Sequence, residues 1–151
     1  MSRPPRLLHV ALCVLLLPAC RGPRGSLQVE PLSIDFGEVD FQQEMPDGGY
    51  DPRVITLSNR GEQDLDVWLP GYDQERLCLE GFTAAEGVIE LPTLSPGSPY
   101  LLTLSVCGYL SGERDLEVEG ALRFLNDGEE PAVDLEYRFI PVRELGEDTG
   151  A

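Results

Sequence analysis

The sequence predicts an all-β fold, a sandwich of seven to eight short antiparallel strands. Three observations predict it. Apolar and polar residues alternate over short stretches, most clearly from Leu116 to Phe124 and from Val133 to Phe139. Turn-forming residues cluster between the stretches, as at Asp47-Gly48-Gly49, Asn59-Arg60-Gly61 and Ser95-Pro96-Gly97-Ser98-Pro99. No apolar stripe with helical spacing runs through residues 27–142.

In chain order the first element is an export leader. Arg3 and Arg6 give it a positive start, and residues 7–17 (LLHVALCVLLL) form an apolar core of signal-peptide length. A membrane-spanning helix needs roughly twenty apolar residues, so this core falls short. It ends in Leu17-Pro18-Ala19-Cys20, which resembles the bacterial lipobox, with an aliphatic residue three before the cysteine and a small one just before it. The resemblance implies a lipoprotein signal peptide over residues 1–19, cleavage before Cys20 and acylation of Cys20. The alternative is an ordinary secretory signal, whose cleavage wants a small residue where Leu17 stands. One acyl chain holds a protein weakly, at about 0.8 kcal/mol per buried methylene, whereas two or three anchor it firmly. No aspartate follows Cys20, so the expected location is the cell envelope, at the outer membrane. Residues 20–26 are short, Gly/Pro-containing and aperiodic, and they read as a lipidated tether.

Strand candidates follow at Ser33 to Phe36, Arg53 to Asn59, Leu65 to Leu69, Leu77 to Phe82, Val88 to Leu91 and Tyr100 to Cys107. The last two are the alternating runs. Leu116, Val118, Leu122 and Phe124 share a face opposite Glu117, Glu119 and Arg123, and Val133, Leu135, Tyr137 and Phe139 lie opposite Asp134, Glu136 and Arg138. The turn cluster from Asn126 to Pro131 joins them as a hairpin. One domain therefore spans residues 27–142, and residues 143–151 read as an acidic flexible tail.

Composition narrows the chemistry. The net charge is -16, with 27 acidic residues against 11 basic ones, all of them arginine. Nucleic acid is a poor partner for such a surface, because phosphate binding needs dense positive charge. The single histidine, His9, lies in the leader. A mature domain with neither His nor Lys cannot build a Ser-His-Asp, Cys-His or Ser-Lys site, nor offer imidazole to zinc. No catalytic residue, metal ligand or cofactor is expected.

Of four cysteines, Cys13 leaves with the leader and Cys20 takes lipid. Cys78 and Cys107 remain, an even pair in an oxidising compartment and therefore an expected disulfide. Alternation sends Leu77 and Leu79, and likewise Leu102, Leu104 and Val106, to the core. Both cysteines then face outward, as a peripheral staple between strands. Trp68 falls opposite Leu65, Val67 and Leu69; core packing through a bulge is the expectation, a recognition patch beside Tyr72 the alternative. Residues 42–52 are long for a hairpin and could be a binding loop, with a solvated insertion as the plainer reading. Asp35, Asp40, Asp47, Asp51, Asp127, Glu129 and Glu130 lie in or near loops and are the calcium candidates, without a D-x-D-x-D-G motif.

The order of several motifs carries a family resemblance. Pro31-Leu32-Ser33-Ile34-Asp35-Phe36-Gly37-Glu38-Val39 resembles the opening strand of the hydin-like (ASH, or choice-of-anchor D) domains. In that family a strand ending in N-x-G and a D-L-x-V strand come next. Residues 54–61 (VITLSNRG) and Asp64-Leu65-Asp66-Val67 match them. Leu94-Ser95-Pro96-Gly97 matches the L-x-P-G turn, and residues 122–127 match a strand that closes on N-D. Val106-Cys107-Gly108 departs from the usual F-x-P, and the usual glycine after Phe139 is missing. The resemblance implies an immunoglobulin-like sandwich that binds or scaffolds. The combined expectation is a lipid-anchored envelope lipoprotein whose immunoglobulin-like domain is a non-catalytic protein-interaction or assembly module with a protein partner. The alternatives are a carboxylate-based carbohydrate-active enzyme and a calcium-dependent adhesion module.

Overall fold

A computed structural model describes residues 24–82 and 87–142; the leader, Cys20 and the 143–151 tail lie outside the described residues. The described chain forms nine strands in two layers: β1 (Leu27–Glu30), β2 (Ser33–Asp40), β3 (Tyr50–Asn59), β4 (Val67–Leu69), β5 (Leu77–Leu79), β6 (Ile89–Glu90), β7 (Pro99–Val106), β8 (Val118–Asn126) and β9 (Ala132–Val142). One sheet has the order β1-β3-β7-β5, the other β2-β9-β8-β4-β6. The expected β-sandwich is present.

Alternation builds the core. Ile55, Leu57, Leu102 and Leu104 reach inward from the first sheet, and Leu122, Phe124, Leu135 and Phe139 from the second. All eight are essentially inaccessible, and burying one such side chain stabilises by about 1.5–3 kcal/mol. One inward position on β8 carries no side chain. Gly120 lies opposite Tyr137 in the β8–β9 ladder, and a Cβ there would come within 2.4 Å of the tyrosine Cζ. The ring of Tyr137 fills the space that Gly120 leaves.

Two features depart from the sequence expectation. Residues 27–30 form a strand that was not anticipated, and β2 runs parallel to β9 rather than antiparallel. Both follow from Pro31, which has no N–H to donate to a continuing ladder. The first strand therefore breaks after Glu30 and changes layers, pairing as β1 with β3 and as β2 with β9. Buried Leu27 and Val29 fill one layer, Ile34 and Phe36 the other. The anticipated strand start at Leu116 is also displaced. Leu116 is 58% exposed, in the loop before β8.

Strand directions sort the loops into two poles. At the first, where β3 and β8 end, Gly25 and Ser26 are packed against the sandwich although the tether was expected to run through Ser26. Ser26 N–H donates to Asn59 Oδ1 at 3.0 Å, and Glu129 N–H donates to the Gly25 carbonyl at 2.9 Å. The opposite pole gathers the end of β2, the start of β3, the ends of β7 and β9, and the loops 41–49, 70–76 and 107–117.

Candidate functional site

The pole opposite Gly25 carries the aromatic cluster of the molecule. Phe41 leaves β2 with its N–H on the Val142 carbonyl. Its ring meets Tyr50 edge-on at 4.9 Å between centroids, and Tyr109 at 4.7 Å in a tilted arrangement. All three rings are half-buried against the core. The loops at this pole also expose two large apolar side chains, Met45 (52%) and Leu110 (39%). Aromatic residues and methionine are the types enriched at protein interfaces, and aromatic pairs gain about 0.5–1.5 kcal/mol beyond their burial.

Local hydrogen bonds fix this platform. Tyr50 Oη donates to the Gln43 carbonyl at 2.8 Å, which ties down the loop bearing Met45. Asp40 Oδ1 accepts the Gln42 N–H at 2.9 Å as the chain leaves β2. Gly49 is buried with φ near +99°, and a side chain there would meet Cys107 Sγ at 2.8 Å. Of residues 42–52, raised from sequence as a possible binding loop, 42–48 are exposed, Gly49 is buried and Tyr50 to Pro52 belong to β3.

The loop 107–117 is clasped by Arg76. Its Nε donates to both Glu113 carboxylate oxygens at 3.1 and 3.0 Å, and its other nitrogens pair with Glu113 and Asp73. Glu113 Oε2 also accepts the Leu110 N–H at 2.8 Å. The guanidinium holds the Glu113 carboxyl below its ordinary range, and the carboxylates raise Arg76 in return. Arg76 is linked to the disulfide as well, because its carbonyl accepts the Cys107 N–H at 2.7 Å. Cys78 and Cys107 are joined with Cα atoms 5.7 Å apart. Both are half-exposed and sit outside the core, so the bridge is a staple fastening the short edge strand β5 to β7. Closing a loop of 29 residues is worth about 3.5 kcal/mol in the chain-entropy model.

Other places singled out by the sequence read differently. Trp68 is half-buried on the outer face of its sheet, level with Glu90 and Leu125 in the flanking ladders. It does not enter the core, because no bulge interrupts β4 and alternation holds. Tyr72 instead packs partly on the core. Asp51 pairs with Arg53 at 2.7 Å, and Asp127 accepts the Asp66 N–H at 2.9 Å. Among the described residues no group of three or more His, Cys, Asp or Glu is placed to hold a metal ion. A shallow cleft of about 670 Å3 crosses the outer face of the second sheet, lined by Ser33, Asp35, Glu119, Ala121, Glu136 and Arg138 among others. Among the described residues the carboxylates that shift are Asp35, Glu113 and Asp134, and all three shift downward. Asp35 accepts the Gly37 N–H and pairs with Arg138, while Arg76 and Arg123 hold the other two. That is the direction of a structural ion pair, opposite to the upward shift a glycosidase acid requires.

Sequence reasoning missed the aromatic pole. Phe41, Tyr50 and Tyr109 are far apart in sequence and only the topology assembles them. Their common signal was an aromatic residue at a strand end beside a Gly- or Asp-containing loop.

A solved structure shares this fold. The chain is similar to the ASH/PapD-like domain 7 of human CEP192, at 12% identity over 90% of this chain and 99% of that one, with a TM-score of 0.51. The YadV chaperone matches at 14% identity over 76% and 51% of the two chains, with a TM-score of 0.49. The periplasmic chaperone SfaE matches at 7% identity over 79% and 58%, with a TM-score of 0.45. No family model matches the sequence, and no curated protein matches it. The fold is an immunoglobulin-like sandwich of the ASH/PapD-like kind.

Proposed function

We propose that the protein is a cell-envelope lipoprotein, anchored through acyl chains on Cys20, whose immunoglobulin-like domain is a non-catalytic protein-interaction or assembly module. The outer membrane is its proposed location. The observation that carries the reading is the placement of the aromatic pole. Its exposed apolar side chains and half-buried rings lie at the end of the sandwich farthest from Gly25, where the chain leads back toward Cys20. A module held at one end and sticky at the other is suited to capture a second protein.

Two measurements test the two halves of the reading. Metabolic labelling with a palmitate analogue should mark the wild-type protein and leave a Cys20→Ser form unmarked. A photo-crosslinking amino acid at position 45 should trap a discrete protein partner in cells, while the same group at position 101, on the far sheet face, should not. Equal labelling of both forms overturns the anchor. Crosslinks that fail at position 45, or match those at position 101, overturn the interaction surface.

A further inference from the structure

Taking the interaction reading as its premise, we propose that the aromatic pole binds a basic polypeptide segment carrying an aromatic or long aliphatic anchor. The pole offers the exposed side chains of Met45 and Leu110 on its loops and the half-buried, mutually packed rings of Phe41, Tyr50 and Tyr109. Acidic residues border Met45 along the chain. Glu44 and Asp47 are exposed in its loop, Asp40 ends β2, and among the described residues none of the three pairs with a cation. Asp40 receives only the Gln42 backbone and the Gln43 side-chain amide. Among the described residues the nearby cations already have carboxylate partners: Arg76 has Glu113 and Asp73, Arg53 has Asp51, and Arg114 has Asp115 at 3.8 Å.

This combination selects its partner. An acidic segment would be repelled by the border and by the net charge of -16. A neutral segment would bury the carboxylates without compensation, which is costly. A segment with Lys or Arg beside a large apolar residue satisfies both parts, placing the apolar group on the rings and its charges on the border. The other exposed apolar pair, Val54 (57%) and Leu101 (63%), stands among Thr56, Ser58 and Thr103 on the outer face of the first sheet. That face is flanked by the exposed carboxylates of Glu30, opposite Thr56, and Glu80, whose N–H donates to the Thr103 carbonyl, but it lacks the aromatic cluster, and it serves as the internal control.

The test uses the full chain in neutral detergent micelles and three short fluorescent peptides, one alternating Lys and Phe, one Lys and Ser, one Glu and Phe. Polarisation titrations should show the Lys/Phe peptide binding at least about tenfold more tightly than either other peptide, a typical hot-spot difference. Its affinity should fall as salt rises. Met45→Ser with Leu110→Ser should weaken it by about tenfold, and both residues are exposed enough for the fold to survive. Val54→Ser with Leu101→Ser should leave it unchanged. Glu44→Gln with Asp47→Asn should weaken it and flatten the salt dependence. Equal binding of Lys/Ser and Lys/Phe peptides would show bulk charge alone and overturn the proposal, as would indifference to the Met45 and Leu110 changes. A position-45 crosslink to a partner in cells together with no Lys/Phe binding sinks the charge assignment and leaves the interaction reading standing.

Discussion

Two asparagines do similar work at the pole that holds Gly25, with unequal reach. Each closes an N-x-G turn at a strand end. Asn59 Oδ1 accepts the Gly61 N–H at 2.9 Å, and Asn126 Oδ1 accepts the Gly128 N–H at 2.9 Å. Asn59 goes further. Its Oδ1 also accepts Ser26 N–H, and its Nδ2 donates to the carbonyls of Gln63 and Leu94 at 2.6 and 2.9 Å. Four backbone groups from three segments thus depend on one buried side chain. Asn126 Nδ2 is buried with no partner. Removing a partner from a buried polar group costs about 1–3 kcal/mol. Asn59→Ala should therefore cost about 3 kcal/mol or more and Asn126→Ala about 1 kcal/mol, by urea denaturation. The reverse ranking would contradict this account of the pole.

At the scale of elements, β5 and the loop 107–117 owe their position to the staple and the clasp rather than to ladder length. β5 offers only three ladder positions, Leu77, Cys78 and Leu79, opposite Val106, Ser105 and Leu104. The Arg76–Glu113 pair beside it gives a pH dependence with a definite sign. Glu113 is held below its ordinary value of 4.5, so the unfolded chain takes up that proton more readily than the folded one. The stabilisation is complete above pH 4.5 and fades as pH falls through the lower folded value. Asp35 and Asp134, lowered by Gly37 and Arg138 and by Arg123, act in the same direction. Arg76→Gln should lower stability at neutral pH and make the decline toward acid shallower, read as the urea midpoint between pH 7 and pH 3. A curve displaced in parallel with wild type would show that the clasp contributes no proton linkage.

The legible part of these elements was the part set by alternation. Leu77 and Leu79 placed Cys78 outside, Leu104 and Val106 did the same for Cys107, and Leu122 with Phe124 marked the inner face of β8. The same rule placed Trp68 outside, and the expectation of core packing erred by setting it aside for a bulge. What alternation cannot report is a change of layer. Leu27 and Val29 alternate as well as any pair, but four residues before a proline give too short a pattern to be read as a strand. The parallel β2–β9 pairing joins residues about a hundred positions apart, and no local signal encodes it. The aromatic pole was hidden for the same reason.

For the whole molecule, the two poles define a direction. β3 runs ten residues from Tyr50 to Asn59, so the aromatic surface stands roughly 30 Å from the Gly25 pole at the usual strand rise. If Cys20 is acylated as proposed, four residue steps separate it from Arg24, a reach of about 14 Å at full extension. The Gly25 pole must then stay near the lipid. It does not adhere there, because Glu62, Asp64, Asp66, Asp127, Glu129 and Glu130 are exposed at that end against Arg24 and Arg60. Anionic headgroups would push such a surface away within a Debye length of about 10 Å, while the tether limits its retreat. The aromatic pole is left facing outward, free for a partner. In nanodiscs containing a gadolinium-chelating headgroup lipid, amide relaxation should therefore be enhanced at residues 60–65 and 126–129 well above residues 41–50 and 109–113. Lengthening the tether with a flexible Gly-Ser insert after Pro23 should shrink that contrast, since the domain could then tumble. Uniform enhancement in the wild type would mean that the short tether imposes no orientation and that the two poles meet the membrane alike.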